Sequence, residues 1–268
     1  DANGNVSTCT STVTVSDDVN SVALCQDITV QLDAAGSATI TASDVDGGST
    51  DACGPLTLSV DISSFDCSSV GPNTVTLTAT DVNGNAGTCT STVTVEDNVS
   101  PDALCQDITI QLDASGAATI TEADVNAGSA DACGLANVSI DITSFDCASV
   151  GSQTVTLTVE DNNGNTSTCT SAVTVEDNVA PIAICLDIPV DLDVNGMATI
   201  TTGDIDGGSS DACGVASTAL DVTSFDCTNV GPNTVTMTVT DANGNVSTCT
   251  STVTVSDAIN SVALCQDI

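Results

Sequence analysis

The cysteines of this chain fall at 80-residue steps, and that recurrence settles how the chain is organised. Cys9, Cys89, Cys169 and Cys249 stand 80 apart, as do Cys25, Cys105, Cys185 and Cys265. Cys53, Cys133 and Cys213 keep the same step, and so do Cys67, Cys147 and Cys227. These are all 14 cysteines, four to each complete repeat. Residues 241–268 match residues 1–28 at 26 of 28 positions, differing only at Asp18/Ala258 and Val19/Ile259. Residues 81–108 match the same head at only 20 of 28. A super-period of three repeats within a longer tandem array accounts for the difference. The expected division makes residues 1–18 the C-terminal part of a preceding repeat. Residues 19–98, 99–178 and 179–258 are then three full repeats, and 259–268 the start of a following one.

Within each repeat the hydrophobic pattern has period two. In residues 56–62 (LTLSVDI), Leu56, Leu58, Val60 and Ile62 share one face, with Thr57, Ser59 and Asp61 on the other. Residues 74–80 (TVTLTAT) put Val75, Leu77 and Ala79 inward and four Thr outward, and residues 89–95 continue the alternation. Such runs are half-buried strands rich in β-branched residues. Turn residues separate them at Ala34-Ala35-Gly36, Gly47-Gly48, Gly71-Pro72-Asn73 and Asn83-Gly84-Asn85. No stretch has helical periodicity. About seven short strands in 80 residues predict tandem immunoglobulin-like antiparallel β-sandwiches, all-β and disulfide-bonded.

Charge narrows the function. The chain has 36 acidic residues, 32 of them Asp, and no Lys, Arg or His, for a net charge of −36. It therefore has no side-chain salt bridges, no positive groove for nucleic acid and no basic patch for a membrane surface. Most catalytic schemes lose their base or nucleophile, and no enzyme is expected. Charged residues make up only 13% of the chain and hydrophobic ones 41%, so this is not an acidic disordered tail. No apolar run is long enough for a membrane span.

The motifs CQDI (CLDI at 185–188), DACG, F-x-C-x-x-V-G and V-T-L-T-x-x-D-x-N-G-N-x-x-T-C-T (with Met237 for the Leu in the third repeat) recur through the repeats and together resemble the HYR (hyalin repeat) family. The family's F-P-x-G turn stands here as Phe65 to Gly71, and its Trp after the second strand is missing. The resemblance implies an immunoglobulin-like module with an extracellular adhesive or structural role, used in tandem; in bacteria such arrays form very large surface proteins.

Even, regular cysteine spacing without CxxC pairs or His reads as a disulfide framework in an oxidising compartment. Four cysteines per repeat allow three pairings, which the sequence alone does not resolve. In a seven-stranded sandwich the first and last strands run parallel, so Cys25 and Cys89 open at one end. Pairs Cys25–Cys89, Cys105–Cys169 and Cys185–Cys249 are expected, and by elimination Cys53–Cys67, Cys133–Cys147 and Cys213–Cys227.

The Asp residues gather in two loop motifs. One leads into DACG: Asp44, Asp46 and Asp51; Asp124, Asn126 and Asp131; Asp204, Asp206 and Asp211. The other is D-x-N-G-N: Asp81, Asn83 and Asn85; Asp161, Asn163 and Asn165; Asp241, Asn243 and Asn245. Alternating oxygen side chains around a Gly turn suit a hard cation that wants six to eight oxygens. Topology puts both loops at the end where the linker enters, with Asp17 and Asp18, Glu96, Asp97 and Asp102, or Glu176 and Asp177. Structural Ca²⁺ at each junction is expected, because carboxylates packed together without a cation repel one another.

The leading expectation is a structural segment of an extracellular fibre or stalk-like adhesin, made rigid by intradomain disulfides and junctional Ca²⁺. The alternative is a glycan- or protein-binding surface module acting through Ca²⁺-loaded loops. The expected partners are neighbouring repeats of the same long chain, with the outward Thr rows offering lateral homotypic association or contact with a surface ligand. No nucleic acid partner and no membrane insertion of this segment are expected.

Overall fold

The structure is a computed structural model that describes residues 1–258, so the expected start of a following repeat at 259–268 lies outside the described residues. It divides into two compact units. The first holds Asp1–Ala103 with Ser129–Val138 and Val159–Ser167; the second holds Leu104–Gly128, Ser139–Thr158 and, among the described residues, 168–258.

The first unit contains β1 (Ile28–Gln31), β2 (Ser37–Thr39), β3 (Thr57–Val60), β4 (Ser64–Asp66), a 3₁₀ turn at Cys67–Ser69, β5 (Gly71–Thr80) and β6 (Ala86–Glu96). The middle repeat follows with β7 (Ile108–Gln111), β8 (Ala117–Thr119), a one-turn helix α1 (Glu122–Val125), β9 (Leu135–Ile140), β10 (Ser144–Asp146), β11 (Gly151–Asp161) and β12 (Thr166–Glu176). The third repeat holds β13 (Ile188–Asp191), β14 (Met197–Thr199), α2 (Thr202–Ile205), β15 (Val215–Leu220), β16 (Ser224–Asp226), β17 (Gly231–Asp241) and β18 (Val246–Ser256).

Each repeat is a sandwich of a four-stranded and a two-stranded sheet. The larger sheets order β1-β6-β5-β3, β7-β12-β11-β9 and β13-β18-β17-β15; the smaller are β2-β4, β8-β10 and β14-β16. The first strand lies parallel to the last (Ile28 opposite Val93, Ile108 opposite Val173, Ile188 opposite Val253), while β3 with β5, β5 with β6 and β2 with β4 pair antiparallel. There are six strands per repeat instead of about seven. The segment ahead of β1 makes only isolated bridges, Val22 to Thr50 and Cys25 to Asp46, because it passes over the loop before β3.

The period-two pattern holds along β3, β5 and β6, but Ile62, expected on the face of Leu56, Leu58 and Val60, lies beyond the end of β3 and is exposed. Val75, Leu77 and Ala79 of β5 and Val93 and Val95 of β6 are buried, with Thr on the opposite face. They close on Leu32, Ile40, Val45 and Phe65, the last being the one aromatic of that core. Leu192, Ile200, Ile205 and Phe225 do the same for the third repeat. A core this lean gives a domain of about 80 residues little margin.

Disulfides supply what the core lacks. Cys25–Cys89, Cys105–Cys169 and Cys185–Cys249 each join residues 64 apart, tying the start of a repeat to its last strand. Each closure contributes about 4 kcal/mol through the unfolded chain. The other expected pairs are overturned. Cys53–Cys67, Cys133–Cys147 and Cys213–Cys227 do not form; Cys67 bonds to Cys133 and Cys147 to Cys213, while Cys53 and Cys227 are free. The reason is distance. The loop of Cys53 leads into Thr57, opposite Thr80 at the end of β5, whereas the turn of Cys67 leads into Gly71 at its start. Ten strand residues separate those ends, roughly 30 Å at ~3.3 Å per residue. Elimination failed because it assumed that every bridge closes within its own repeat.

Candidate functional site at the repeat junction

Two tight turns build each junction. The first presents Cys67. Asp66 caps the 3₁₀ turn, its Oδ1 accepting from Ser68 N at 3.0 Å, and Ser69 Oγ accepts in return from Asp66 N. Beside it the turn Asp33–Gly36 closes with Gly36 N donating to Asp33 O at 2.8 Å. Gly36 has φ +72°, and a Cβ there would stand 2.6 Å from Cys67 Sγ, 3.3 Å from Ala132 Cβ and 3.4 Å from Cys133 Sγ. Only glycine lets the two loops come this close. Gly116 repeats the arrangement against Cys147, Ala212 and Cys213.

The second turn is DACG. Asp131 Oδ1 accepts from Cys133 N at 2.7 Å, which holds Cys133 toward Cys67; the two Cα atoms are 5.1 Å apart. Asp211 does the same for Cys213, whose Cα lies 5.1 Å from that of Cys147. Cys133 also packs against the core of the first repeat. This explains why the first unit includes the DACG and DxNGN loops of the middle repeat.

The acidic residues divide into two classes. Those of the DxNGN loop are consumed by the loop itself. Asp81, Asp161 and Asp241 are buried, and each accepts from two backbone amides and from the side chain of Asn85, Asn165 or Asn245. Burial pulls these carboxyls up, but the Asn hydrogen bonds outweigh it and leave them below the ordinary Asp value. Asn85, Asn165 and Asn245 also donate to the linker carbonyls of Asp17, Asp97 and Asp177. Asp44, Asp124 and Asp204 accept from the backbone amide and hydroxyl of Thr41, Thr121 and Thr201, bonds that lower their carboxyls. Asp46, Asn126 and Asp206 close the next turn by accepting from Ser49, Gly128 and Ser209 amides. Glu96 and Glu176 accept from Gln31 and Gln111. Asp102 bridges Ala130 through its backbone, and Asp18 is exposed.

The second class is what gathers. Asp17 with Asp51 and Cys53, Asp97 with Asp131 and Cys133, and Asp177 with Asp211 and Cys213 each bring one ligand atom per residue within 4.8 Å of one another. Cys133 and Cys213 are already in disulfides, so the donors left at those junctions are carboxylates. Asp97 is 6% exposed; its Oδ1 accepts from Val99 N, and its buried Oδ2 has no hydrogen-bond partner. At the other junctions the matching oxygen is satisfied: Asn83 Nδ2 donates to Asp17 at 3.2 Å and Asn243 Nδ2 to Asp177 at 2.8 Å.

Sequence reasoning missed the junction bond and the glycines that admit it. The signal was present, since all four cysteine classes recur and a bond between classes of adjoining repeats repeats as faithfully as one within them. No family model matches the chain, and neither does any curated protein. Similar solved structures include the extracellular cadherin domains 1–4 of protocadherin gamma B7 (13% identity over 87% of this chain and 75% of that one, TM-score 0.38). The titin I-band fragment I67–I69 (10%, 89% and 97%, TM-score 0.37) and mouse cadherin-23 EC22–24 (14%, 88% and 97%, TM-score 0.35) are further examples. Likenesses at these scores carry no argument about what this chain does. Among the described residues no helix is long and apolar enough to cross a membrane.

Proposed function

We propose that this chain is a structural segment of an extracellular fibre or stalk-like adhesin, of the HYR kind, built to stay in one piece. The observation that carries the reading is the junction disulfide. The loops closed by Cys25–Cys89, Cys67–Cys133, Cys105–Cys169, Cys147–Cys213 and Cys185–Cys249 overlap in succession. Every backbone bond from Cys25 to Cys249 therefore lies inside at least one closed loop. A single cut anywhere in that span leaves the chain covalently whole. Bridges confined to each repeat would leave the linkers unprotected. Such overlap, with no Lys or Arg for trypsin-like enzymes, suits a load-carrying material exposed to proteases outside the cell.

A protease specific for glutamate tests this under denaturing, non-reducing conditions. Complete cleavage after Glu96, Glu122, Glu160 and Glu176 should leave residues 1–96, 123–160 and 177–268 as one species, released only by reductant. Three separate species would overturn the reading.

A second device is favoured by Asp97. A buried carboxylate oxygen without a donor, set beside Asp131, fits an oxygen-preferring divalent cation such as Ca²⁺. Asp97 and Asp131 would hold it, and the ion would supply the positive charge that the polypeptide lacks. The DxNGN loops are closed by their own bonds and would position the linker, not the ion.

A further inference from the structure

Two junctions of this chain are built alike down to single hydrogen bonds and then part at one oxygen. Asp97 and Asp177 are both 6% exposed. Each accepts on Oδ1 from the amide two residues on, Val99 or Val179, at 3.1 Å. Each linker carbonyl accepts from the last Asn of the DxNGN loop, Asn165 at 3.0 Å and Asn245 at 2.9 Å. The loops close the same way, Asn163 N donating to Asp161 Oδ1 at 2.8 Å and Asn243 N to Asp241 Oδ1 at 2.9 Å. The DACG carboxylates match as well, Asp131 and Asp211 each accepting from a cysteine amide at 2.7 Å. Only Oδ2 differs. That of Asp177 accepts from the Asn243 side chain at 2.8 Å, and that of Asp97 is buried with no donor.

We propose that this side-chain amide is a gate for the divalent cation: the ion binds at Asp97, where the amide is absent, and is held off at Asp177 by Asn243. The inference rests on the cation reading above and adds which junction takes the ion and which residue decides.

An amide N–H and a cation compete for the same lone pairs of one buried oxygen. Where Asn243 donates, a neutral dipole already satisfies the carboxylate, and an ion must break that charge-assisted bond to bind. The loss of such a bond weakens binding by about tenfold or more. Where no donor arrives the buried oxygen keeps its charge unmet, and Asp131 offers an oxygen within 4.8 Å to share an ion with it. The sequences part close to this choice. The residue after the first Asp of the DxNGN loop is Val82, Asn162 or Ala242. Asn162 N and Ala242 N bond alike to Gly134 O and Gly214 O. Asn162 Nδ2 also donates to Cys133 O at 2.8 Å, which fastens the middle loop to its DACG turn by a bond that Ala242 cannot make. At the remaining junction Asn83 occupies Asp17 as Asn243 occupies Asp177. One junction of the three is therefore open to an ion, although all three carry the same D-x-N-G-N spacing.

Europium(III), an oxygen-seeking stand-in for Ca²⁺ that luminesces on direct excitation, reads the sites in the full chain. Salt at about 0.15 M, with a Debye length of about 8 Å, screens the diffuse attraction of a −36 chain. The expected result is one ion per chain, displaced by millimolar Ca²⁺, with any second ion about tenfold weaker or more. Asn243→Ala should bring in a second ion of similar affinity, because it frees Asp177 Oδ2 and keeps the backbone bond to Asp241. Asp97→Asn should lose the first ion, and the two changes together should keep only the second. Far-UV circular dichroism of each variant should match the parent. Two ions of equal affinity in the parent, or a single ion in Asn243→Ala, would overturn the gate and leave the cation reading standing. No Ca²⁺-displaceable ion in any of these proteins would remove both.

Discussion

The Asn243 side-chain amide donates to Asp177 Oδ2 at 2.8 Å, while the matching oxygen of Asp97 is buried with no donor. The two junctions share their acids and their disulfide but differ in how one carboxylate oxygen is satisfied. A buried acceptor left unpaired costs about 1–3 kcal/mol. Asp97→Asn is therefore expected to raise the melting temperature in chelator by several degrees. The same change should abolish any gain on adding millimolar Ca²⁺. Differential scanning calorimetry of both proteins with and without Ca²⁺ checks this, and a Ca²⁺ gain retained in the variant would remove Asp97 from the cation site.

Removing the junction bond should cost more than removing either free thiol. The Cys67–Cys133 bridge closes a loop across 66 residues, and a closure of that length contributes about 4 kcal/mol. The double change Cys67→Ser with Cys133→Ser is expected to lower the urea midpoint of the affected repeats clearly, whereas Cys53→Ser leaves it in place. Equal midpoints would mean that the loops pack against each other as well without the bond.

The sandwich was legible in the sequence because its cause is local. Val75, Leu77 and Ala79 alternate with Thr, and alternation along a strand dictates which face is buried, whatever lies further along the chain. The junction was not legible for the opposite reason. Cys67 and Cys133 meet only because β5 carries the chain away from Cys53, and because Gly36 lacks a Cβ where the next repeat arrives. Neither fact is a property of the residues near either cysteine. The acids misled in a related way. The Asp and Asn of the DxNGN loop have the spacing of cation ligands, but that spacing also lets Asp161 take the amides of Asn163 and Asn165. A loop of this kind satisfies itself before an ion can. Asp97 and Asp131, which do gather, lie 34 positions apart, and only the arrival of the linker beside the DACG turn joins them.

The Cys53 thiol should be slow to react. A hydrogen bond to the Asp17 carboxylate, and then the charge of that carboxylate, push it above the ordinary cysteine range. Because the thiolate is the nucleophile, its share at neutral pH is depressed. Asp17→Asn removes the charge and is expected to speed alkylation of Cys53 by iodoacetamide several-fold at pH 7.5, with Cys227 unchanged as the internal reference. Mass spectrometry of Asp-cleaved peptides over a time course reads both sites at once. A rate at Cys53 that ignores Asp17→Asn would show that loop accessibility sets its reactivity.

Acid should weaken the DxNGN loops. The Asp161 carboxyl lies below its ordinary value in the folded chain because, despite burial, Asn165 and Asn163 donate to its charged form. A depressed folded value means that this contribution is complete above the unfolded value of about 3.9 and disappears as the pH falls through the folded one. The overall charge of −36 acts in the opposite direction, since protonation relieves self-repulsion, so total stability does not isolate the effect. The difference between the parent and Asp161→Asn does, because both proteins share nearly the same global charge. That difference should be constant from pH 7 down to about 4.5 and shrink steadily below pH 4. Urea unfolding of the two proteins across this range measures it. A gap that widens on acidification would mean that Asp161 is held by the fold against its own ionisation, with burial outweighing the Asn bonds.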